Sequence, residues 1–371
     1  MNQSRSVRAN ASFLARASVG RLAPSIRIQL RALALIGALA LIALLAPWTP
    51  ARAAPADPGF RAFVASLWPQ AHRMGVSRRI FETAFAGVTP DPAVLAKTHR
   101  QAEFVKPIWD YLSAAVSKKR IATGRRKMAQ SAGVLARVQR AYGVDPYIVL
   151  AVWGLETNFG ANEGDTSVIR DLATLAYAHY RGEYFRRELL IALQILQQGH
   201  VSVAAMRGSW AGAMGQTQFM PSAFMRYAVD FDGGGRKNIW TDAPDALAST
   251  ANFLARHGWV RGWTWGYEVI APRNGKLTPG RALPFASWAA LGYRRADGYP
   301  MPTEGRAALL APAGASGPVF LATKNFFVIK TYNDSTSYAL AVALLSDRIA
   351  GAGPLKARWP SGDFPTASIT R

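Results

Sequence analysis

The run from Asp145 to Gly160 reads Asp-Pro-Tyr-Ile-Val-Leu-Ala-Val-Trp-Gly-Leu-Glu-Thr-Asn-Phe-Gly, and nothing between Tyr147 and Leu155 carries a charge. Asp145 followed by Pro146 is a helix start, with a capping carboxylate and then proline at the first helical position. A helix with no polar side lies inside a bundle, not on its surface. This one ends in Glu156. At helical spacing Val149, Val152, Trp153 and Phe159 share the Glu156 face. Apolar surroundings disfavour a charged carboxylate, so the pKa of Glu156 is expected to rise toward that of a general acid. The plainer reading is a core-edge glutamate paired with an arginine.

The rest of the chain fits around such a helix. It has 371 residues, half of them hydrophobic, which is ample for a sizeable core. There is no cysteine, so disulfides, thiolate metal sites, a catalytic thiol and a lipid-bearing cysteine are all excluded. Helical patterns run from Phe60 to about Gly199, and the Phe60, Phe63, Val64, Leu67, Trp68 stripe is typical. Ser77 caps a short helix. Pro107–Val116 carries Trp109 and Tyr111, and the basic run Lys118–Arg126 reads as a solvated face. A long helix then reaches Tyr142, where Gly143 stops it. Further helices are expected at 168–177, 184–198, 243–257 and 336–349. Residues 263–330 differ in kind, with alternating segments at Trp265–Ile270 and Val319–Lys330 that suggest strands. The expected fold class is mainly α (α+β), a helical catalytic core with a small strand-rich insertion.

Charge and leader restrict the partner. The formal charge is +22, of which seven arginines within residues 1–53 supply part and leave +15. A protein this basic favours polyanions. Arg27 and Arg31 precede the apolar run Ala32–Ala46, which is 15 residues, and Ala51-Arg52-Ala53 follows a Pro-rich break. That is the layout of a signal peptide over residues 1–53, cleaved after Ala53 or Ala54, with an uncleaved anchor as the alternative. Either way the rest of the chain is expected outside the cytoplasm, which disfavours nucleic acid and favours a cell-wall polymer. No groove-reading or base-stacking module is present. The five histidines show no metal spacing.

Ser209-Trp-Ala-Gly-Ala-Met-Gly-Gln-Thr-Gln-Phe-Met-Pro-Ser222 is the second informative stretch. Its glycines and alanines imply close backbone approach, and Pro221 opens a helix. With Trp153–Gly160, Asp230-Phe-Asp-Gly233, Asp245-Ala246, His257-Gly-Trp259 and Tyr332-Asn-Asp-Ser335 it resembles the lytic murein transglycosylase B family (glycoside hydrolase family 103), whose core is lysozyme-like. The resemblance covers most of residues 54–371.

It implies that Glu156 protonates the oxygen between N-acetylmuramic acid and N-acetylglucosamine. As carboxylate, Glu156 then takes the proton of the muramic C6 hydroxyl, which closes a 1,6-anhydro ring. No cofactor is required, and a monomer acting on peptidoglycan glycan strands is expected. By position, Ser209 and Asn333 match residues near the catalytic carboxyl. Gln218 matches a sugar contact, and Tyr111, Tyr332 and Tyr338 match aromatic groove positions. Phe253 stands where the family usually has tyrosine, so one hydroxyl contact is absent. Most glycosidases use two carboxylates, and Glu163 and Asp165 are the candidates for a second here. The alternatives are a hydrolytic muramidase and a non-catalytic wall-binding protein.

The family also has an EF-hand-like calcium site, matched here by Asp230, Asp232, the carbonyl of Arg236, and Asp245. Asp230, Asp232 and Gly235 fall at loop positions 1, 3 and 6. Gly234, however, has no side-chain oxygen for position 5, and Thr241 stands where an EF-hand has glutamate. The loop also reads as a glycine-rich turn in which Asp230 and Asp232 cap the backbone.

Overall fold

The computed structural model describes residues 57–100, 107–273 and 277–360. The leader expected at 1–53 lies outside the described residues. Helices dominate. The first group is α1 (Pro58–Arg73), α2 (Arg78–Phe85), α3 (Pro92–Arg100), α4 (Ile108–Ala115), α5 (Lys118–Gln130), α6 (Ala132–Tyr142) and α7 (Pro146–Thr157). Then come β1 (Thr166–Ser167), α8 (Val168–Tyr177), α9 (Tyr184–Gln197), β2 (Arg207–Gly208), α10 (Pro221–Tyr227) and α11 (Ala243–Arg256). The small sheet and the closing helices follow: β3 (Gly266–Ile270), β4 (Ala282–Pro284), α12 (Phe285–Ala290), β5 (Arg294–Arg295), β6 (Arg306–Leu310), β7 (Val319–Ala322), α13 (Lys324–Lys330) and α14 (Thr336–Ala350). Among the described residues no helix is long and apolar enough to cross a membrane.

The apolar helix is the axis of the bundle. The Asp145 carboxylate accepts from Tyr147 N and starts α7. Ile148, Val149, Leu150, Val152 and Trp153 are all buried, each contributing about 1.5–3 kcal/mol of transfer free energy. α7 lies along α14, with α5, α6 and α11 on its other sides. A second layer is built from α8 and α9, covered by α1, α2 and α10.

The end of α7 is abrupt. Asn158, Phe159 and Gly160 are all left-handed, with φ of 51°, 63° and 80°, a conformation that only glycine adopts without cost. This overturns the expectation that Phe159 continues the Glu156 row. The chain reverses before Phe159, and its ring packs on Trp153 at 5.8 Å between centroids. It also lies over two mid-helix glycines. A Cβ at Gly154 would stand 2.6 Å from Phe159 Cζ. One at Gly124 would meet Ile349 Cδ1 at 2.4 Å and Phe159 Cζ at 3.2 Å.

Two other expectations change. The long helix ending at Tyr142 is two helices, because Ser131, at φ −107°, breaks the run and caps α5 and α6. The alternation at Val319–Lys330 is a strand only to Ala322. Thr323 then accepts from Asn325 N and caps α13.

The sheet has the order β4-β6-β7-β3-β5, antiparallel throughout. It has its own small core of Val269, Phe285, Trp288, Tyr293, Leu309 and Leu321. Trp288 Nε1 donates to Ala307 O at 2.9 Å and ties α12 down.

Candidate active site

Glu156 sits on the last turn of α7, and the first turn of α14 meets it there. The Ser335 hydroxyl accepts from Tyr338 N and fixes Tyr338 in that first turn. Tyr338 Oη donates to Glu156 Oε1 at 2.5 Å. Behind it Tyr332 stacks on Tyr338 at 6.5 Å and 11°, and its hydroxyl donates to Thr217 O at 2.7 Å. Tyr111, on α4, is exposed and close enough to Glu156 that the carboxylate charge helps raise its pKa, after burial.

Burial pushes Glu156 up to about 7, and the Tyr338 hydrogen bond pulls the other way. The Tyr332 and Tyr338 hydroxyls are held well above their usual range by burial and then by the Glu156 charge, so both are neutral donors. None of the ion pairs among the described residues includes Glu156. The arginine-paired reading therefore has no support. What remains is a desolvated carboxyl that exchanges its proton near neutrality beside neutral phenols, the arrangement a general acid–base needs.

The other expected residues take supporting places. Gln218, left-handed at φ 50°, donates from Nε2 to Glu163 O and Gly215 O, each at 2.9 Å. It therefore stitches the loop after α7 to the glycine-rich turn. The Ser209 hydroxyl accepts from Ala213 N at 3.2 Å and closes that turn. Asn333 is exposed next to Tyr332. Phe253 is 8% exposed. Its ring is covered by Tyr332 at 4.8 Å, Tyr227 at 4.8 Å and His257 at 4.0 Å, so it backs the tyrosines instead of presenting a stacking face. Burial also pushes Glu163 up to about 7.

Sequence reasoning missed Gln216. Its Oε1 accepts from Trp153 Nε1 at 2.9 Å, its Nε2 donates to Trp240 O at 2.9 Å, and its backbone carbonyl takes the Thr157 hydroxyl at 3.1 Å. It ties α7 to the loop before α11. A polar residue in a glycine- and methionine-rich run was the available signal.

That loop brings carboxylate oxygens of Asp230, Asp232 and Asp245 within 4.8 Å of one another. Asp230 accepts from Gly233 N and Gly235 N, Asp232 from Gly234 N, and Asp245 from Phe231 N and Asn238 N. Both sequence readings leave their mark: the aspartates cap a glycine turn, and they converge. The all-oxygen set fits a hard cation such as calcium, with no side-chain donor at Gly234. Asp242, one residue past Thr241, adjoins the cluster. Burial, and then the Asp232 and Asp230 charges, raise its pKa.

A family described as the transglycosylase SLT domain matches residues 59–347. The chain belongs to that family. It is 37% identical over 222 residues to membrane-bound lytic murein transglycosylase B of Escherichia coli (strain K12), covering 58% of this chain and 60% of that relative. The match thus spans less than two thirds of the relative's length. Among solved structures, SltB3 from Pseudomonas aeruginosa in complex with NAG-NAM-pentapeptide is 44% identical with a TM-score of 0.80, over 83% of this chain and 84% of that one. It was also determined with NAG-anhNAM-pentapeptide. The Escherichia coli lytic transglycosylase Slt35, in complex with calcium, is 30% identical with a TM-score of 0.67, over 79% of this chain and 93% of that one. The helical core expected from the sequence is the fold of these lysozyme-like enzymes.

Proposed function

We propose that the chain is a lytic transglycosylase of the periplasm. It cleaves the bond between N-acetylmuramic acid and N-acetylglucosamine in peptide-bearing glycan strands without adding water. The observation that carries this reading is Glu156, a desolvated carboxyl titrating near 7 under a 2.5 Å bond from Tyr338. Family membership and the sugar–peptide complexes of SltB3 support the substrate class.

In this mechanism Glu156 binds substrate as the acid, and its proton goes to the oxygen of the scissile bond as that bond breaks. The carboxylate left behind is stabilised by Tyr338 Oη, and it then takes the proton of the muramic C6 hydroxyl as that oxygen bonds to C1. Glu156 ends as it began. The cationic sugar between the two steps lies in a site whose phenols are neutral and whose carboxylate is the nearby charge, which favours it. Glu163 and Asp165 have no part in either step. Ser209 and Gln218 hold the turn and loop flanking the groove, and Tyr111, Tyr332 and Asn333 line it. Phe253 supports Tyr332.

Calcium, where bound, would be held by Asp230, Asp232, Asp245 and the Arg236 carbonyl. It would act structurally by pinning the loop to α11. Residues 1–53 act as the export signal, and residues 54–371 work as a monomer.

Digestion of isolated murein sacculi by the mature protein, with product masses, tests the proposal. The expected products are 1,6-anhydromuropeptides. Products one water heavier, with reducing ends, would make it a hydrolytic muramidase, and intact sacculi would leave only wall binding.

A further inference from the structure

A cavity of about 890 Å³ lies apart from the candidate active site and is not lined by Glu156, Tyr332 or Tyr338. It lies on the other side of α4. Trp109 and Leu112 form one wall, Trp265 and the β3 residue Tyr267 another, and the tail after α14 closes it with Trp359. The tail is held there by Glu268, which accepts from Lys356 N at 2.9 Å and Ala357 N at 2.8 Å. An aromatic-walled cavity of this size with a few polar groups is the usual form of a ligand site.

Its charges are unequal in availability. Glu268 is occupied by the tail. Asp297 is bonded to Arg295. Both Asp347 carboxylate oxygens accept from Trp265 Nε1 at 3.1 Å, and burial pushes that acid up to about 7. Of the cations, Arg295 is engaged by Asp297, and three others stand outside the ion pairs of the described residues. Lys118, Lys356 and Arg358 line the cavity, are exposed and enter none of the ion pairs among the described residues. Arg348 Nη1 is buried without a hydrogen-bond partner. The site therefore suits a ligand with apolar parts and carboxylates.

Helix α4 is the link to the chemistry, since it carries Tyr111 on the Glu156 side and Trp109 and Leu112 on the cavity side. A helix with its side chains is about 10–12 Å across. Five extended residues reach about 17 Å. A peptide on a sugar bound over Glu156 is long enough to cross α4.

We infer that this cavity is a second binding site, which takes the acidic peptide stem of the glycan strand being cut at Glu156. The inference rests on the proposed peptidoglycan substrate. The cationic rim meets the carboxylates of the stem, and the indole walls cover its aliphatic parts.

The test uses free stem pentapeptide, released from murein by an amidase, titrated into the mature protein and followed by tryptophan fluorescence and calorimetry. Saturable binding is expected. The double variant Lys118→Glu/Lys356→Glu should weaken it by about tenfold or more. Both positions are exposed, and a glutamate at the first position of α5 favours that helix, so circular dichroism should show an intact fold. The same variant should raise KM on stem-bearing glycan by a similar factor. It should leave kcat, and KM on stem-free glycan, unchanged. Absence of saturable binding at millimolar peptide, or binding indifferent to the charge reversal, overturns the inference. If no murein substrate is cut while charge-sensitive peptide binding persists, the transglycosylase reading fails and the site stands.

Discussion

Replacing Glu156 by glutamine should abolish turnover and, at neutral pH and above, make the protein more stable. The side chains are nearly isosteric, and Tyr338 Oη can donate to the amide oxygen as it does to Oε1. What changes is the proton. In the unfolded chain the glutamate titrates near 4.5, and in the fold near 7. Between those values the folded state holds a proton that the unfolded state has lost, so stability falls as pH rises through the window. The penalty is complete above about pH 7. At 1.36 kcal/mol per pH unit the shift amounts to about 3 kcal/mol, and partial solvent access to Glu156 reduces this to about 2 kcal/mol. Glutamine has no such penalty. Urea unfolding of both proteins at intervals from pH 4 to 8.5 isolates the effect, because the other titrating groups cancel in the difference. The stability of Glu156→Gln relative to wild type should climb from pH 4.5 to 7 and then level off. A difference that is flat with pH, or that shrinks as pH rises, would refute a desolvated, protonated Glu156.

Three further outcomes are expected. Tyr338→Phe removes the bond that favours the carboxylate. The pKa of Glu156 should rise further, and the alkaline limb of the pH–rate profile should move up by about one to two pH units; a limb that stays put would deny the contact. Glu163→Gln should keep kcat within about threefold, because no second carboxylate is used; a loss of several orders of magnitude would restore a two-acid mechanism. Gly234→Asp supplies the missing loop oxygen at a residue whose φ is not left-handed. It should tighten calcium binding, measured by calorimetry, relative to wild type, and unchanged affinity would leave only the capped turn.

The core of this fold was legible because its signals are local. Asp145-Pro146 starts α7, Ser335 starts α14, and Gly143 in left-handed geometry ends α6. Glu156 stood out as a carboxylate after nine uncharged residues, but that pattern alone fits a core-edge ion pair equally, and the downstream motifs around Ser209, Gln218 and Asn333 made it the candidate acid. The misreadings lie where tertiary packing overrules a local pattern. Ser131 interrupts a run that reads as continuous helix, and Thr323 turns an alternating segment into a helix after four strand residues. Phe159 was placed by extending helical spacing through Asn158, whose left-handed backbone reverses the chain. Gln216 and Gln218 look alike in sequence. Their different duties, one bridging two tryptophans and one holding a loop carbonyl, are set by partners 24 to 63 residues away.

Gly124, Gly154 and Phe159 carry a consequence for how such a protein changes over time. Each glycine costs its helix about 1 kcal/mol relative to alanine, so an alanine arising at either place looks like an improvement to the helix alone. Here it collides with the Phe159 ring or with Ile349. Gly154 and Phe159 are therefore epistatic: a smaller residue at 159 has to arrive before Gly154 can leave, and that first step opens a void under the turn that carries Glu156, whereas Gly124 is held chiefly by Ile349. Directed evolution of this protein by single substitutions should find the end of α7 frozen, while paired libraries at 154 and 159 have room to move it.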